Sequence, residues 1–331
     1  MPGNHQQVTG PSAWVGAQIS RDDDWIARLN AAHLAEIDLL NDALTKNPAQ
    51  DPRQMKLPQL HALARRTHSD LTSGHGFILI KGFPVDRFTM DETEALYLAF
   101  GRLLGKPISQ NSYGDLLTHV RDEGKKYKTT TDLKGARGYR SNEALLFHTD
   151  LGDVVGLLCI QKAVEGGRSS ISSSMTVYNE ALRSHPEYIP VFFEGFPLLN
   201  LEEGGDQKEY RLPVYSEHEG TISCAIRRNT IETAKMNGVH FTQLELDALA
   251  FLDNTAARAD IRFDMDLEPG DMQLINNYIT LHSRTHFRDA DDAKLKRDLI
   301  RLWLQLPDGR SYLRKFDTIY DGIPKTLSRK K

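Results

Sequence analysis

Only two cysteines, Cys159 and Cys224, occur in the 331 residues, too few for a disulfide framework. Each stands in an apolar, strand-like run, so the expectation is a pair of buried free thiols in a reducing compartment. No apolar run comes near the ~20 residues that a membrane-spanning helix needs. The start, Met1-Pro2-Gly3-Asn4-His5-Gln6-Gln7, has neither the basic residues nor the apolar stretch of a secretory signal. An excess of one charge is missing too: 41 basic against 45 acidic residues leave a formal net charge of −4. Nothing electrostatic therefore points to nucleic acid, and Arg65-Arg66 and Arg329-Lys330-Lys331 read as solvated surface. No internal repeat stands out. The expectation is a cytoplasmic protein with no membrane and no nucleic-acid partner.

What is present is an apolar fraction of 40 %, enough for a large core. Residues 1–11 read as a disordered tail and 12–331 as one domain. Residues 12–71 are largely helical in pattern, with Leu34, Ile37, Leu40 and Leu44 at three- and four-residue steps. A short buried strand follows at Gly76-Phe77-Ile78-Leu79-Ile80-Lys81-Gly82, and Thr89-Met90-Asp91-Glu92 opens a helix with a capping box. Residues 106–142 are polar and weakly patterned, the mark of a lid. A strand over 145–160 comes next, then the turn Glu165-Gly166-Gly167-Arg168-Ser169. Short strand pieces alternate with turns from 191 to 230, and Thr242 to Glu245 forms a second capping box. Strands at 261–267, 272–276 and 299–306 close the chain. The pattern is that of an α+β protein with a mainly β core, a double-sheet barrel with flanking helices.

The chemistry is concentrated at His148-Thr149-Asp150. On an extended strand residues two apart share a face, so an imidazole and a carboxylate stand side by side. Such a pair supplies two of the three ligands of a 2-His-1-carboxylate triad. Twelve histidines and 45 acidic residues give about one or two His-x-acid tripeptides by chance alone. Three occur. His68-Ser69-Asp70 lies in a polar helical run and His185-Pro186-Glu187 at a helix end, so only His148 sits at the mouth of an apolar strand. The third ligand has to be sought among His185, His218, His240, His282 and His286. His282 is favoured by the Lys296-to-Leu304 stretch that follows it. Read as a strand, that stretch puts Arg297, Leu299, Arg301 and Trp303 on one face, and Asp298, Ile300, Leu302 and Leu304 on the other. Two inward guanidinium groups call for anions: a carboxylate ligand gripped in bidentate fashion, or structural partners such as Asp150 or Glu268.

Taken together, the strand 76–84, Phe147-His148-Thr149-Asp150, Gly166-Gly167-Arg168-Ser169, Pro269-Gly270-Asp271, His282-Ser283-Arg284-Thr285-His286-Phe287 and the Arg297/Arg301 pair resemble the taurine dioxygenase/clavaminate synthase-like Fe(II)- and 2-oxoglutarate-dependent oxygenases. The resemblance spans residues 75–306. It implies a double-stranded β-helix (jelly roll) in which His148, Asp150 and His282 bind Fe(II). It implies that Arg297 and Ser169 hold 2-oxoglutarate, with O2 as the other cosubstrate, and that Arg301 lies at a substrate anion. Ser169 stands where the family often has threonine, and the acidic run Asp289 to Asp292 lengthens the segment before Arg297. Arg228 and Asn142, with Arg140, are weaker substrate candidates. The implied reaction is hydroxylation of an unactivated C–H of a small, anionic or amino-acid-like molecule, with release of succinate and CO2. Asp150 fills the position a halide would need, which sets halogenation aside. Desaturation or cyclisation on the same iron, and a catalytically silent metal- or 2-oxoglutarate-binding protein, are the alternatives. A zinc hydrolase would leave Arg297 and Arg301 without a task.

Overall fold

Phe77, Ile78, Leu79 and Ile80 are all apolar and all buried, so both faces of their strand have to be covered. Ile78 and Ile80 join a core built with the helices Ala31–Lys46, Pro58–Thr72 and Met90–Leu104, while Phe77 and Leu79 enter a second core. The structure is a computed structural model and describes residues 5–124, 138–200, 208–292, 295–309 and 322–328.

Two sheets dominate the described residues. Their strands are β1 (Ile26–Arg28), β2 (Phe77–Lys81), β3 (Lys106–Pro107), β4 (Leu117–Val120), β5 (Leu145–His148), β6 (Val154–Gln161), β7 (Ser169–Ser173), β8 (Phe263–Met265), β9 (Met272–Asn276), β10 (Thr280–Arg284) and β11 (Asp298–Gln305). The larger sheet runs β1-β2-β9-β6-β11-β3, with β4 also paired to β11; the smaller runs β8-β7-β10-β5. Val155, Leu299 and Trp303 from the first sheet meet Ile171 and Met265 from the second in the shared core. Behind the smaller sheet, Ile279 and Leu281 pack with residues of the helices Ser174–Ser184 and Gln243–Ala256 and of two hairpins. The result is a strand-rich core with helices on its outer sides. No helix among the described residues is long and apolar enough to cross a membrane. Cys159 and Cys224 are free and buried.

Local rules hold where the pattern is strong. Thr89 with Glu92, and Thr242 with Glu245, form the two capping boxes. Along β11, Leu299 and Trp303 point into the inter-sheet core, and Ile300, Leu302 and Leu304 into the helix-covered one, as alternation requires.

Three expectations change. The run 145–160 is two strands in different sheets, because the chain turns at Gly152 (φ +79°) and crosses from β5 to β6. The 106–142 segment is not wholly a lid: β3 and β4 pair with β11, and the alternating Leu117-Thr118-His119-Val120 was hidden by polar neighbours. Its residues 125–137 lie outside the described part. Within the expected N-terminal tail, Val8 exchanges two hydrogen bonds with Asn179, at 2.8 and 2.7 Å, and the His5 ring lies tilted against Phe193.

On β4, His119 lies between Asp298 (2.8 Å) and Glu94 (2.9 Å). The Asp298 hydrogen bond first, and then that of Glu94, raise its pKa to about 9 against the opposing effect of burial. A raised histidine stabilises the fold fully below its unfolded pKa and stops doing so as pH climbs through about 9. Because the group is partly exposed, its loss should cost about 1 kcal/mol. Urea unfolding at pH 7 and pH 10 checks this: His119→Gln should lose less stability over that interval than the unmodified protein.

Candidate active site

The turn between β5 and β6 is strapped down from two sides. Thr149, with its side chain turned away from the neighbouring His148 and Asp150, donates its N–H to Ile226 O (3.0 Å), and its hydroxyl accepts from Ile226 N (2.9 Å). Asn277 accepts the Asp150 N–H at 2.9 Å and donates to the carbonyls of Asp150 (2.7 Å) and Gly152 (3.1 Å). Just past Asn277, β10 runs antiparallel to β5 and sets His282 directly opposite His148. The two rings stand 4.2 Å apart. His148 Nε2 lies 4.0 Å from Asp150 Oδ1, and His282 Nε2 lies 3.9 Å from Asp150 Oδ2. Among the described residues this is the one group of three ligating side chains with its donor atoms within 4.8 Å of one another.

The protonation states suit a cation. His148 Nδ1 donates to Leu146 O at 2.8 Å, which leaves Nε2 as the free lone pair. Burial first, then the guanidinium groups of Arg301 and Arg284, lower the His148 pKa against the pull of Asp150. In His282, burial and then His148 push it down to about 3, so both imidazoles are neutral near pH 7. Burial would raise Asp150, but Arg301, His282, His148 and the Trp303 hydrogen bond outweigh it and hold the carboxyl at about 2. Asp150 Oδ2 accepts from Arg301 Nη1 and Trp303 Nε1, both at 3.0 Å, and Oδ1 accepts no hydrogen bond among the described residues. Two neutral nitrogens and one oriented carboxylate form a donor set that fits Fe(II) and would hold it.

Two arginines, Arg301 and Arg284, act on this centre through their charge. The guanidinium of buried Arg297 donates only to Val120 O, at 3.3 Å, among the described residues, while its backbone N–H donates to Asp289 Oδ1 at 2.8 Å; Gly167 comes so close that a Cβ there would stand 3.0 Å from Arg297 Nε. Burial pushes its pKa down to about 10. A cavity of about 190 Å³, lined by Cys159, Leu267, Leu299 and Gly167 among others, reaches Arg297 but not the three ligating residues. Arg301 has protein partners: besides Asp150 it donates Nε to Gln110 Oε1 at 2.8 Å and stacks on Trp303 and Tyr139. The structural alternative, pairing with Asp150, is what the fold uses; only Nη2 lacks a partner among the described residues.

Of the remaining candidates, the buried Ser169 hydroxyl donates to Gln273 Oε1 at 2.9 Å. The Asn142 side chain makes no hydrogen bond among the described residues, and its carbonyl accepts from Phe287 N. The nitrogens of Arg228 bond to Asp253 (2.7 and 3.1 Å) and Glu232 (2.9 Å), a half-buried ion-pair network. Arg140 faces Glu123 at 3.6 Å. Two residues were missed. Trp303 was placed on the inward face, but its bond to Asp150 depends on how the two sheets meet. Arg284, two positions past His282 on β10, was given no role.

The sequence pattern of the "Taurine catabolism dioxygenase TauD, TfdA family" matches residues 41–303. The chain belongs to this family. As a TauD/TfdA-type enzyme it is an Fe(II)/2-oxoglutarate-dependent dioxygenase, with iron(II), 2-oxoglutarate and O2 as cofactors. It is similar to the FR-33289 synthase of Streptomyces rubellomurinus, with 31% identity over 318 residues, 92% of each chain. The taurine hydroxylase-like protein SAT17 of Stachybotrys chartarum is 27% identical, covering 89% of this chain and 79% of that protein. Among solved structures, an asparagine oxygenase in complex with Fe(II), 2S,3S-3-hydroxyasparagine and succinate superposes with a TM-score of 0.66 at 18% identity, over 85% and 93% of the two chains. The non-heme iron oxygenase OrfP in complex with Fe and alpha-ketoglutaric acid gives 0.60 at 16% identity, over 85% and 94%.

Proposed function

We propose that this TauD/TfdA dioxygenase hydroxylates an unactivated C–H bond of a small anionic or amino-acid-like molecule, releasing succinate and CO2. The observation that carries this reading is the triad, with Arg301 bonded to Asp150 and buried Arg284 two residues past His282 on the same strand. His148, Asp150 and His282 are the iron ligands, and the facing sheets are the double-stranded β-helix that frames them. Iron(II) there, with 2-oxoglutarate and O2, supplies oxidative decarboxylation coupled to C–H oxidation.

The chain's own groups divide the remaining work. Leu146 O fixes the His148 tautomer, while Arg301 and Trp303 keep Asp150 ionised and aimed. Arg297 is the anchor for the distal carboxylate of 2-oxoglutarate, assisted by the Ser169 hydroxyl; that its guanidinium donates to one carbonyl among the described residues supports this. Arg301 Nη2 and Asn142 are the groups left to meet the substrate. The buried setting excludes water, strengthening these charge contacts. The hydroxyasparagine in the asparagine oxygenase complex and the (3S)-hydroxy-L-Arg in an OrfP complex support an amino-acid-like substrate.

The test is a panel of amino acids and small organic anions, read as substrate-triggered succinate formation. A true substrate should raise succinate well above the uncoupled rate and gain one oxygen in mass. Loss of two hydrogens would replace hydroxylation by desaturation or cyclisation. Metal and 2-oxoglutarate binding with no turnover on any panel member would favour the silent-binder reading.

A further inference from the structure

Arg284 is buried and on the same face of β10 as His282, one strand repeat along. Its neighbour across β7 is Ser169, and across β5 it is Leu145. Only one of its nitrogens is employed: Nη2 donates to the carbonyls of Ser141 (2.8 Å), Glu143 and, more weakly, Gly138 (3.5 Å). Nε and Nη1 are buried without a hydrogen-bond partner among the described residues. Asp122 and Glu143 contribute favourable charge from a distance but form no ion pair with it among the described residues. Arg297 is a near neighbour of the same sign. Both guanidinium carbons lie over the Phe287 ring, at 4.9 and 5.0 Å from its centroid.

Two buried cations at one aromatic ring, one with two idle donors, are unfavourable until an anion arrives. Backbone carbonyls already hold Nη2, so the guanidinium cannot turn to find water without releasing the 138–143 stretch. Its free edge is therefore fixed in advance of binding.

We infer that Arg284 is a second anion-binding arginine of the site, gripping the distal carboxylate of 2-oxoglutarate together with Arg297. The inference rests on the reading that Arg297 anchors the cosubstrate. A charge-assisted hydrogen bond of about 1.5–3 kcal/mol corresponds to roughly ten- to a hundredfold in affinity.

The experiment compares 2-oxoglutarate with 2-oxopentanoate, which keeps the keto-acid head but lacks the distal carboxylate. Both are titrated anaerobically into the Fe(II) enzyme and followed by the visible charge-transfer band. Arg284→Gln should weaken 2-oxoglutarate by about tenfold or more and leave 2-oxopentanoate unchanged, with Arg284→Lys recovering part of the loss. Equal weakening of both ligands, or of neither, would overturn the inference, because a purely packing role does not distinguish them. Arg297→Gln gives a second reading that does not depend on how Arg284 variants fold. It should retain a clear preference for 2-oxoglutarate, and complete loss of preference would also overturn the inference. An unmodified enzyme that gives no band with 2-oxoglutarate overturns the parent reading and this one together. A band that survives while the Arg284 variants discriminate normally overturns only this one.

Discussion

Asp150→Ala and His282→Ala should each abolish turnover. Each removes a donor that no neighbouring side chain can replace, since the described residues hold no second cluster of ligating groups. Disturbing the outer partners of a metal ligand costs about 10- to 100-fold in affinity or activity, so losing a ligand outright should cost more than about 100-fold. Asp150→Ala carries an extra penalty: it strands Arg301 Nη1 and Trp303 Nε1, which both rely on its Oδ2. It should therefore lower thermal stability as well as iron content, whereas His282→Ala, which removes an imidazole whose Nδ1 has no hydrogen-bond partner among the described residues, should mainly lower iron content. Succinate release with added Fe(II) and equilibrium iron content check both variants. Iron binding at unmodified affinity in either one would remove that residue from the ligand set.

Arg297→Ala should raise the 2-oxoglutarate requirement by roughly 30-fold or more, the effect of losing about 2–3 kcal/mol of charge-assisted bonding. The effect should fall on 2-oxoglutarate and not on the substrate. Stability should behave in the opposite way from a structural ion pair. The Arg297 guanidinium donates to a single carbonyl among the described residues, so its removal deprives the folded protein of little and relieves a buried charge. An unchanged or raised melting temperature with a large rise in the apparent KM for 2-oxoglutarate is expected. A fall in stability with an unchanged KM would make Arg297 a structural residue.

How much of this could be read from the chain depended on periodicity. The inward face of β11 was legible because strict alternation over Arg297 to Leu304 allows only one arrangement. His148 was legible for a related reason, an apolar strand beginning beside it. The crossing at Gly152 was not, since one apolar run 145–160 does not show where a strand changes sheets. β10 had no recognised pattern: Thr280–Arg284 was taken for a connection, so the rule that puts Arg284 beside His282 was never applied. Whether Arg301 faced Asp150 or a ligand could not be decided from one strand, because the answer lies in how β11 meets the β5–β6 turn. Arg228 had one partner in plain view, Glu232, a helical turn away on the same helix, while Asp253 is supplied by another.

The most direct test of the account is an anaerobic titration of 2-oxoglutarate into the purified protein with Fe(II), read as the visible metal-to-ligand charge-transfer band. The unmodified protein should give the band with one iron and one 2-oxoglutarate per chain, and His148→Ala should not. A folded protein that binds iron yet shows no band, or an equal band from His148→Ala, would contradict it.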